Sequence, residues 1–226
     1  MTEQPLLVAI DTSTHFAGLA LFDGETVLSE CYWRSHRNQS VELMPQLVRM
    51  LDQQRIGERE ICAVAVAIGP GSFTGLRIGL SVGKGLAIAH DVPILGVPTL
   101  DAIAFQHAEQ RRPMIWAAIH AGRGRLCVAR YERRRGRWRQ HGDIHLTTLD
   151  GFAGLINGRC LITGELTQRE REYIAEHTDQ DVRFTIPSQS MRRPSCIAEL
   201  AWRRFMRGES DDLATLSPIY IHPELA

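Results

Sequence analysis

The sequence has almost no lysine and no net charge. Its 226 residues include 26 Lys or Arg and 26 Asp or Glu, which gives a formal net charge of +0. A balanced charge excludes a global electrostatic attraction to nucleic acid or anionic membranes. Lys84 is the single lysine, so 26 − 1 = 25 of the basic residues are arginines, as a GC-rich coding bias would produce.

Cysteine and histidine motifs are missing as well. The five cysteines are scattered and never form C-x-x-C, which predicts neither a zinc site nor a disulfide framework and favours a reducing cytosol. The nine histidines include no H-E-x-x-H. His141 and His145 are four apart, but on a predicted strand that spacing separates them by roughly 13 Å. We therefore predict no metal site.

Long hydrophobic runs are also absent. No apolar run approaches the ~18 residues that a membrane-spanning helix needs. The first apolar run, Leu6–Ile10, has no basic flank and is too short for a signal peptide. We therefore expect a cytoplasmic protein without membrane contact.

The apolar pattern predicts one order of elements, used twice. In each half, three strands with hairpin signals precede a helix, a strand, a helix, a strand and a final helix. The predicted strands of the first half begin at Leu6 and those of the second at Pro113, and the last helix spans 195–207. This order predicts an α/β protein with duplicated ribonuclease-H-like lobes, the architecture of actin, Hsp70 and sugar kinases. We place a first lobe at 1–110 and a smaller second lobe at 111–226, with helix 195–207 and the tail packing back on the first lobe.

The hairpin after the first strand carries Asp11, Thr12, Ser13 and Thr14. Small hydroxyl residues and a carboxylate between two strands suit a phosphate and its Mg²⁺. An ordinary polar turn, in which these side chains satisfy local backbone groups, is the alternative. The sequence leaves both open.

The glycine-rich segment Gly69-Pro-Gly-Ser-Phe-Thr-Gly75 begins a helix in which glycine recurs at positions 75, 79 and 83. The spacing fits neither the P-loop nor the dinucleotide fingerprint. Each interior glycine costs a helix about 1 kcal/mol relative to alanine, which indicates a close backbone approach. We predict that this face meets another protein's helix, and burial within the chain itself is the alternative. The predicted interface residues are Leu43, Leu47, Phe73, Leu76, Gly79, Leu80, Gly83 and Leu86.

Arginines are concentrated between Arg123 and Arg139, where eight of them accompany one acid, Glu132. A basic hairpin could contact RNA phosphates, and we name Arg133, Arg134 and Arg135 as candidate contacts. A solvated face of an arginine-rich protein is the alternative.

Four stretches resemble the TsaB (YeaZ) family. They are Val8-Ala-Ile-Asp-Thr-Ser-Thr14, the G-P-G-S-F-T-G-L-R-I-G string ending at Gly79, Gly85-Leu-Ala87 and Pro93-Ile-Leu-Gly-Val-Pro-Thr-Leu100. The likeness covers most of residues 6–106, and the glycine string is its most specific part.

The resemblance implies a non-catalytic partner in the synthesis of N6-threonylcarbamoyladenosine at position 37 of tRNA. It implies pairing with the catalytic subunit TsaD through first-lobe helices, docking of the ATPase TsaE on that pair, and a homodimer through the same surface when the chain is alone. It also implies no catalytic residue and no tightly bound cofactor, with ATP or ADP and Mg²⁺ entering only in the complex.

The sequence departs from the family at three places. Gln39 stands where the family commonly has histidine, Ile119-His-Ala-Gly122 lacks the acid of the second hairpin, and the C-terminus differs. The missing acid weakens the case for metal–nucleotide binding by this chain alone. The alternative function is a nucleotide-dependent ATPase or kinase of the same fold with Asp11 as metal ligand. A peptidase ranks third because no nucleophile is evident.

Overall fold

The computed structural model describes residues 5–36, 38–55, 61–107, 114–134 and 137–221. The chain divides into two compact units. Unit 1 combines Met1–Thr99 with Arg193–Ile219, and unit 2 combines Leu100–Arg192 with Tyr220–Ala226.

Among the described residues, the first half of the chain contributes five strands and three helices. They are β1 (Leu6–Asp11), β2 (Phe16–Phe22), β3 (Val27–Arg34), α1 (Gln39–Gln54), β4 (Ile61–Gly69), α2 (Phe73–His90), β5 (Ile94–Pro98) and α3 (Thr99–Phe105). The described part of the second half contributes five more strands and four helices. They are β6 (Met114–Gly122), β7 (Arg125–Arg134), β8 (Arg137–Thr147), α4 (Leu149–Leu155), β9 (Cys160–Gly164), α5 (Gln168–Glu176), β10 (Val182–Phe184), α6 (Pro187–Ser190) and α7 (Pro194–Phe205).

The two sheets share one topology. The strand order is β3-β2-β1-β4-β5 in unit 1 and, in the same sense, β8-β7-β6-β9-β10 in unit 2. In each sheet the first three strands form an antiparallel meander, and the fourth and fifth join in parallel. The predicted duplication of ribonuclease-H-like lobes is confirmed.

Helices cover both faces of the unit 1 sheet, which is why its central strands are continuous apolar runs. On one face, Val8 and Val64 pack with Leu43 and Leu47 of α1 and Leu80 of α2. On the other face lies α7, with the Trp202 ring edge-on to Phe22 at 5.8 Å between centroids.

Glu30 of β3 fixes the start of α7 in unit 1. Its carboxylate accepts hydrogen bonds from Arg193 Nη2 at 2.6 Å and from Ser195 N and Oγ at 2.9 and 2.6 Å. Burial raises the pKa of Glu30, but these hydrogen bonds outweigh it, so the pKa lies below its ordinary value. The ionised carboxylate therefore holds the helix to the sheet.

Unit 2 builds an apolar cluster on each face of its sheet. Leu100 and Ile103 of α3 pack on Ile115 and Ile119 of β6. The other face carries a second cluster, which consists of Trp116, Ala118, Leu126, Val128, Phe152, Ile156, Cys160, Ile162, Leu166 and Ile174. The Tyr131 hydroxyl donates to Asp101 Oδ1 at 2.7 Å and ties α3 to β7.

The observed units differ from the predicted boundary at 110/111. Leu100–Phe105 belongs to unit 2 because its apolar side chains pack on β6. Residues 193–219, whose helix was expected to pack back on the first lobe, belong to unit 1. The third helix was predicted to reach about Gln110, but it ends at Phe105, and 108–110 lie outside the described residues. The short helix α6 was not predicted.

Candidate functional site

The hairpin loop Asp11–Thr14 turns its polar groups inward. All four residues are buried. Asp11 Oδ1 accepts hydrogen bonds from Ser13 N at 2.8 Å and Ser13 Oγ at 2.5 Å, and the Ser13 hydroxyl lies 3.0 Å from Thr99 Oγ1. This is the geometry of a self-satisfied polar turn, the alternative that the sequence left open.

The start of α2 is docked on that loop. Ser72 caps the helix by accepting from Gly75 N at 3.2 Å, and Ser72 N donates to Ser13 O at 2.6 Å. The Thr12 hydroxyl in turn donates to the Gly75 carbonyl at 2.7 Å. The Asp11–Thr14 loop and the glycine-rich start of α2, which are far apart in the sequence, therefore pack directly against each other.

Three glycines make this close approach possible. A Cβ atom added at Gly71 would overlap Ser13 O, one at Gly75 would overlap Thr12 O, and one at Gly79 would overlap Thr12 Oγ1. A Cβ at Gly83 would overlap Val66 of the sheet beneath. The glycine face of α2 therefore lies against the chain's own hairpin and sheet.

This packing corrects the predicted partner interface. Gly79 and Gly83 face inward, so they cannot meet another protein's helix in this fold. The predicted interface leucines at positions 43, 47, 76 and 80 are likewise buried in the core. Among the predicted set, Phe73 is 54% exposed and Leu86 is partly buried. Six of the eight predicted interface residues therefore lie on the inner faces of α1 and α2.

The outer sides of α1 and α2 carry the apolar surface that the prediction missed. Five exposed side chains define what we call the α1–α2 face, namely Val41 (68% exposed), Met44 (38%), Val48 (45%), Phe73 (54%) and Ile88 (68%). Arg77 lies over the Phe73 ring, 3.7 Å from its centroid. The sequence of α1 already indicated this surface, because Val41, Met44 and Val48 are spaced i, i+3, i+7 and form a second apolar stripe beside the buried one of Leu43 and Leu47.

The corresponding hairpin of unit 2 has no polar cluster like Asp11–Thr14. The turn between β6 and β7 is Gly122-Arg123-Gly124, with positive φ at all three residues. A Cβ added at either glycine would meet nothing within 4 Å. The absence of an acid from this turn, noted in the sequence, thus accompanies an open and exposed turn.

The candidate RNA contacts lie at the end of the β7–β8 hairpin. Arg133 and Arg134 are exposed at the end of β7, and Arg135 lies outside the described residues. Glu132 lies among these cations, 3.1 Å from Arg130 Nη2 and 3.7 Å from Arg134 Nη2.

Two kinds of feature are absent from the described ranges. Among those residues, no group of three or more His, Cys, Asp or Glu side chains could hold a metal ion. None of the described helices is both long enough and apolar enough to cross a membrane.

Comparisons with known proteins identify the family. Residues 33–192 match the protein family described as TsaD: tRNA N6-adenosine threonylcarbamoyltransferase. A Bacillus subtilis protein named tRNA threonylcarbamoyladenosine biosynthesis protein TsaB is 33% identical over 218 residues, which is 95% of this chain and 93% of the relative. The chain belongs to the TsaB (YeaZ) family. The resemblance stated from the sequence is confirmed.

Solved structures agree with the TsaB assignment and with the fold. A Pseudomonas aeruginosa protein, named for its similarity to the peptidase YeaZ, superposes with a TM-score of 0.78 at 25% identity, over 96% of this chain and all of that one. A Streptococcus pneumoniae protein of the ROK family reaches a TM-score of 0.50 at 9% identity, over 90% of this chain and all of that one. The second likeness concerns the fold alone, and it agrees with the two sheets of shared topology described above.

Proposed function

We propose that this chain is a non-catalytic partner subunit in the synthesis of N6-threonylcarbamoyladenosine at position 37 of tRNA. It pairs with a TsaD-like catalytic subunit, and the pair recruits a TsaE-like ATPase. The name of the Bacillus subtilis relative supports the pathway. The match to the TsaD family supports descent from a common fold with the catalytic subunit.

The α1–α2 face is the observation that carries the pairing. Val41, Met44 and Val48 form one exposed stripe on α1, and Phe73 is exposed at the start of α2. Monomeric proteins rarely leave several large apolar side chains together in water, and such patches mark interaction sites. A partner helix lying on this face would bury them. In the absence of a partner, a second copy of the chain would cover the same face.

The hairpin loop supports a role without chemistry. Asp11 Oδ1 is bound by two groups of Ser13, and the Thr12 hydroxyl is bound to Gly75. Opening these bonds to admit a phosphate would leave buried polar groups without their present partners, at a cost of roughly 1–3 kcal/mol each. We therefore propose that the partners bind the ATP and Mg²⁺ of the reaction. The ATPase alternative requires this loop to rearrange.

Affinity capture with the TsaD-like protein of the same organism tests the pairing. We expect the double variant Met44→Glu/Val48→Glu to reduce capture at least about tenfold, because two buried carboxylates at an interface are strongly unfavourable. Both side chains point outward, so the variant should fold.

The matched control places the same charges on other exposed apolar positions. Ile186 is 59% exposed and Met206 is 66% exposed, and neither belongs to the α1–α2 face. Ile186→Glu/Met206→Glu should therefore be captured like the unmodified chain. Equal capture of both double variants would show that the interface lies elsewhere. No capture of the unmodified chain by a folded partner would refute the pairing.

A further inference from the structure

The β7–β8 hairpin places several cationic side chains on one face of the unit 2 sheet. In the antiparallel register, Arg130 lies opposite His141, and Glu132 lies opposite Arg139. Directly opposite residues and those two apart along a strand share a face, so Arg134 joins this group. We call Arg130, Glu132, Arg134, Arg139 and His141 the arginine ribbon.

The ribbon carries more positive charge than its one carboxylate can balance. Glu132 Oε1 lies 3.1 Å from Arg130 Nη2, while Oε2 lies 3.7 Å from Arg134 Nη2 and 3.4 Å from His141 Nδ1. Three guanidiniums therefore accompany this one carboxylate, and the charge of Arg139 also interacts with the Asp101 carboxylate of α3. Arg133, exposed on the opposite face at the same end, adds another guanidinium. Clustered like charges are unfavourable in the free protein, and an anionic ligand would relieve that.

Protection of a sheet edge explains only part of this arrangement. The β8 strand is the last in its sheet, and charged side chains on an edge strand discourage pairing with other chains. However, Arg130 belongs to β7 at a point where it is paired with Trp116 of β6 on one side and with His141 of β8 on the other. Edge protection gives no reason for cations there.

The chemistry of the ribbon favours a phosphate backbone over a protein. Guanidinium groups bind phosphate oxygens through paired N–H donors. Arg130 and Arg134 are four residues apart on β7, a distance of roughly 13 Å, and Arg139 lies on β8, so each arginine can take a separate phosphate. A protein interface would also need an apolar anchor at its centre. Trp138, the large aromatic residue of β8, packs in the unit 2 core and donates its Nε1–H to His107 O at 2.9 Å.

We propose that the arginine ribbon, together with Arg133, binds the phosphodiester backbone of the tRNA substrate. The choice of tRNA rests on the proposed function, whereas phosphate binding rests on the ribbon itself. Contacts of this kind position an RNA without reading its sequence. The ribbon would thus hold the tRNA while the catalytic partner acts on its base.

Fluorescence anisotropy of a labelled, unmodified tRNA transcript with the full chain tests this proposal between 50 and 300 mM KCl, taken as roughly the range in which salt dependence is steep. The test variant is Arg133→Gln/Arg134→Gln/Arg139→Gln. We expect it to weaken binding at least about tenfold. The slope of log K against log salt should become shallower by about two, at roughly 0.7–0.9 for each phosphate that the variant no longer neutralises.

Arg203→Gln/Arg207→Gln is the control, because both residues are exposed on or just after α7 of unit 1. It should change binding less than about twofold. Unchanged binding by the triple variant, or an equal loss in the control, would overturn the proposal. So would displacement of the tRNA by polyglutamate as effectively as by an RNA oligomer of equal charge, since that would indicate an acidic protein partner.

The two proposals fail separately. The triple variant should still be captured by the TsaD-like subunit, since its substitutions lie outside the α1–α2 face. If the unmodified chain binds tRNA through the ribbon but is not captured, the pairing fails and the RNA surface stands. If capture succeeds and tRNA binding does not depend on the ribbon, this proposal fails alone.

Discussion

The two units share a strand order, but the loop after the first strand is stabilised differently in each unit. In unit 1 this loop is polar and buried, and the 18-residue helix α2 packs its glycines against it. In unit 2 that loop is an open Gly-Arg-Gly turn, and the equivalent helix α5 has 9 residues with a capping box between Thr167 and Glu170. One duplicated topology therefore tolerates very different loops and helices.

One position is alike in both units. The fourth strand ends at Gly69 in unit 1 and at Gly164 in unit 2, with φ of 106° and 110°. In each case an added Cβ would meet a backbone carbonyl, that of Ile219 or of Ala118. Residues with side chains rarely adopt this conformation, so glycine is required at both positions. The shared backbone constraint has persisted although the surrounding sequences show no visible repeat.

The largest expected effect concerns unit 2. Arg192, whose side chain is 2% exposed, is paired with Glu165. We expect Glu165→Ala to lower the free energy of unfolding by about 3–5 kcal/mol, because it leaves a buried guanidinium without that partner. Urea denaturation measures it.

An exposed ion pair of the same unit provides the control for that loss. The side chains of Arg159 and Asp181 are both about 60% exposed, and Arg159 Nε lies 3.2 Å from Asp181 Oδ2. Asp181→Ala should cost less than about 1 kcal/mol. Similar losses in the two variants would contradict the role given to the buried pair.

The next effect concerns the glycines of unit 1. Gly75→Ala should destabilise the chain by about 1–3 kcal/mol, because its Cβ would overlap the Thr12 carbonyl. Gly85→Ala, in the same helix but with open space around it, should instead stabilise by about 0.5–1 kcal/mol. Chemical denaturation of the pair measures the contrast. If Gly75→Ala stabilised as much as Gly85→Ala, the close approach of loop and helix would be refuted.

The smallest effect depends on pH. The pKa of Glu30 in the folded chain lies below its ordinary value. The contribution of the carboxylate to the free energy of unfolding is therefore complete above the unfolded pKa of about 4.3, and it is lost as the pH falls through the folded pKa. Glu30→Gln should cost about 1–2 kcal/mol at pH 7 and progressively less in acid. Thermal unfolding of the unmodified chain and of Glu30→Gln, compared between pH 7 and pH 3, measures this difference in stability. A difference that stayed constant would show that the carboxylate's charge does not hold α7.

The sequence was sufficient for the topology but not for the orientation of α2. Period-two and helical patterns placed nearly every element, because each strand and helix buries its own apolar residues. Glycine at 75, 79 and 83 indicated a close approach, but spacing alone cannot say which surface approaches. The approaching surface proved to be the carbonyl and hydroxyl of Thr12 and the side chain of Val66, and Thr12 lies 63 residues from Gly75 along the chain. The place of α3 in unit 2 likewise depends on tertiary packing, here that of Leu100 and Ile103 on β6.

A reconstituted modification reaction tests the central claim most directly. Unmodified tRNA would be incubated with the threonylcarbamoyl donor and with this chain, the TsaD-like subunit and the TsaE-like ATPase, each alone and together, and position 37 analysed by mass spectrometry. We expect no product from this chain alone and a full yield only when it joins its partners, with Met44→Glu/Val48→Glu losing that effect. Modification by this chain alone, or an equal yield without it, would contradict the account.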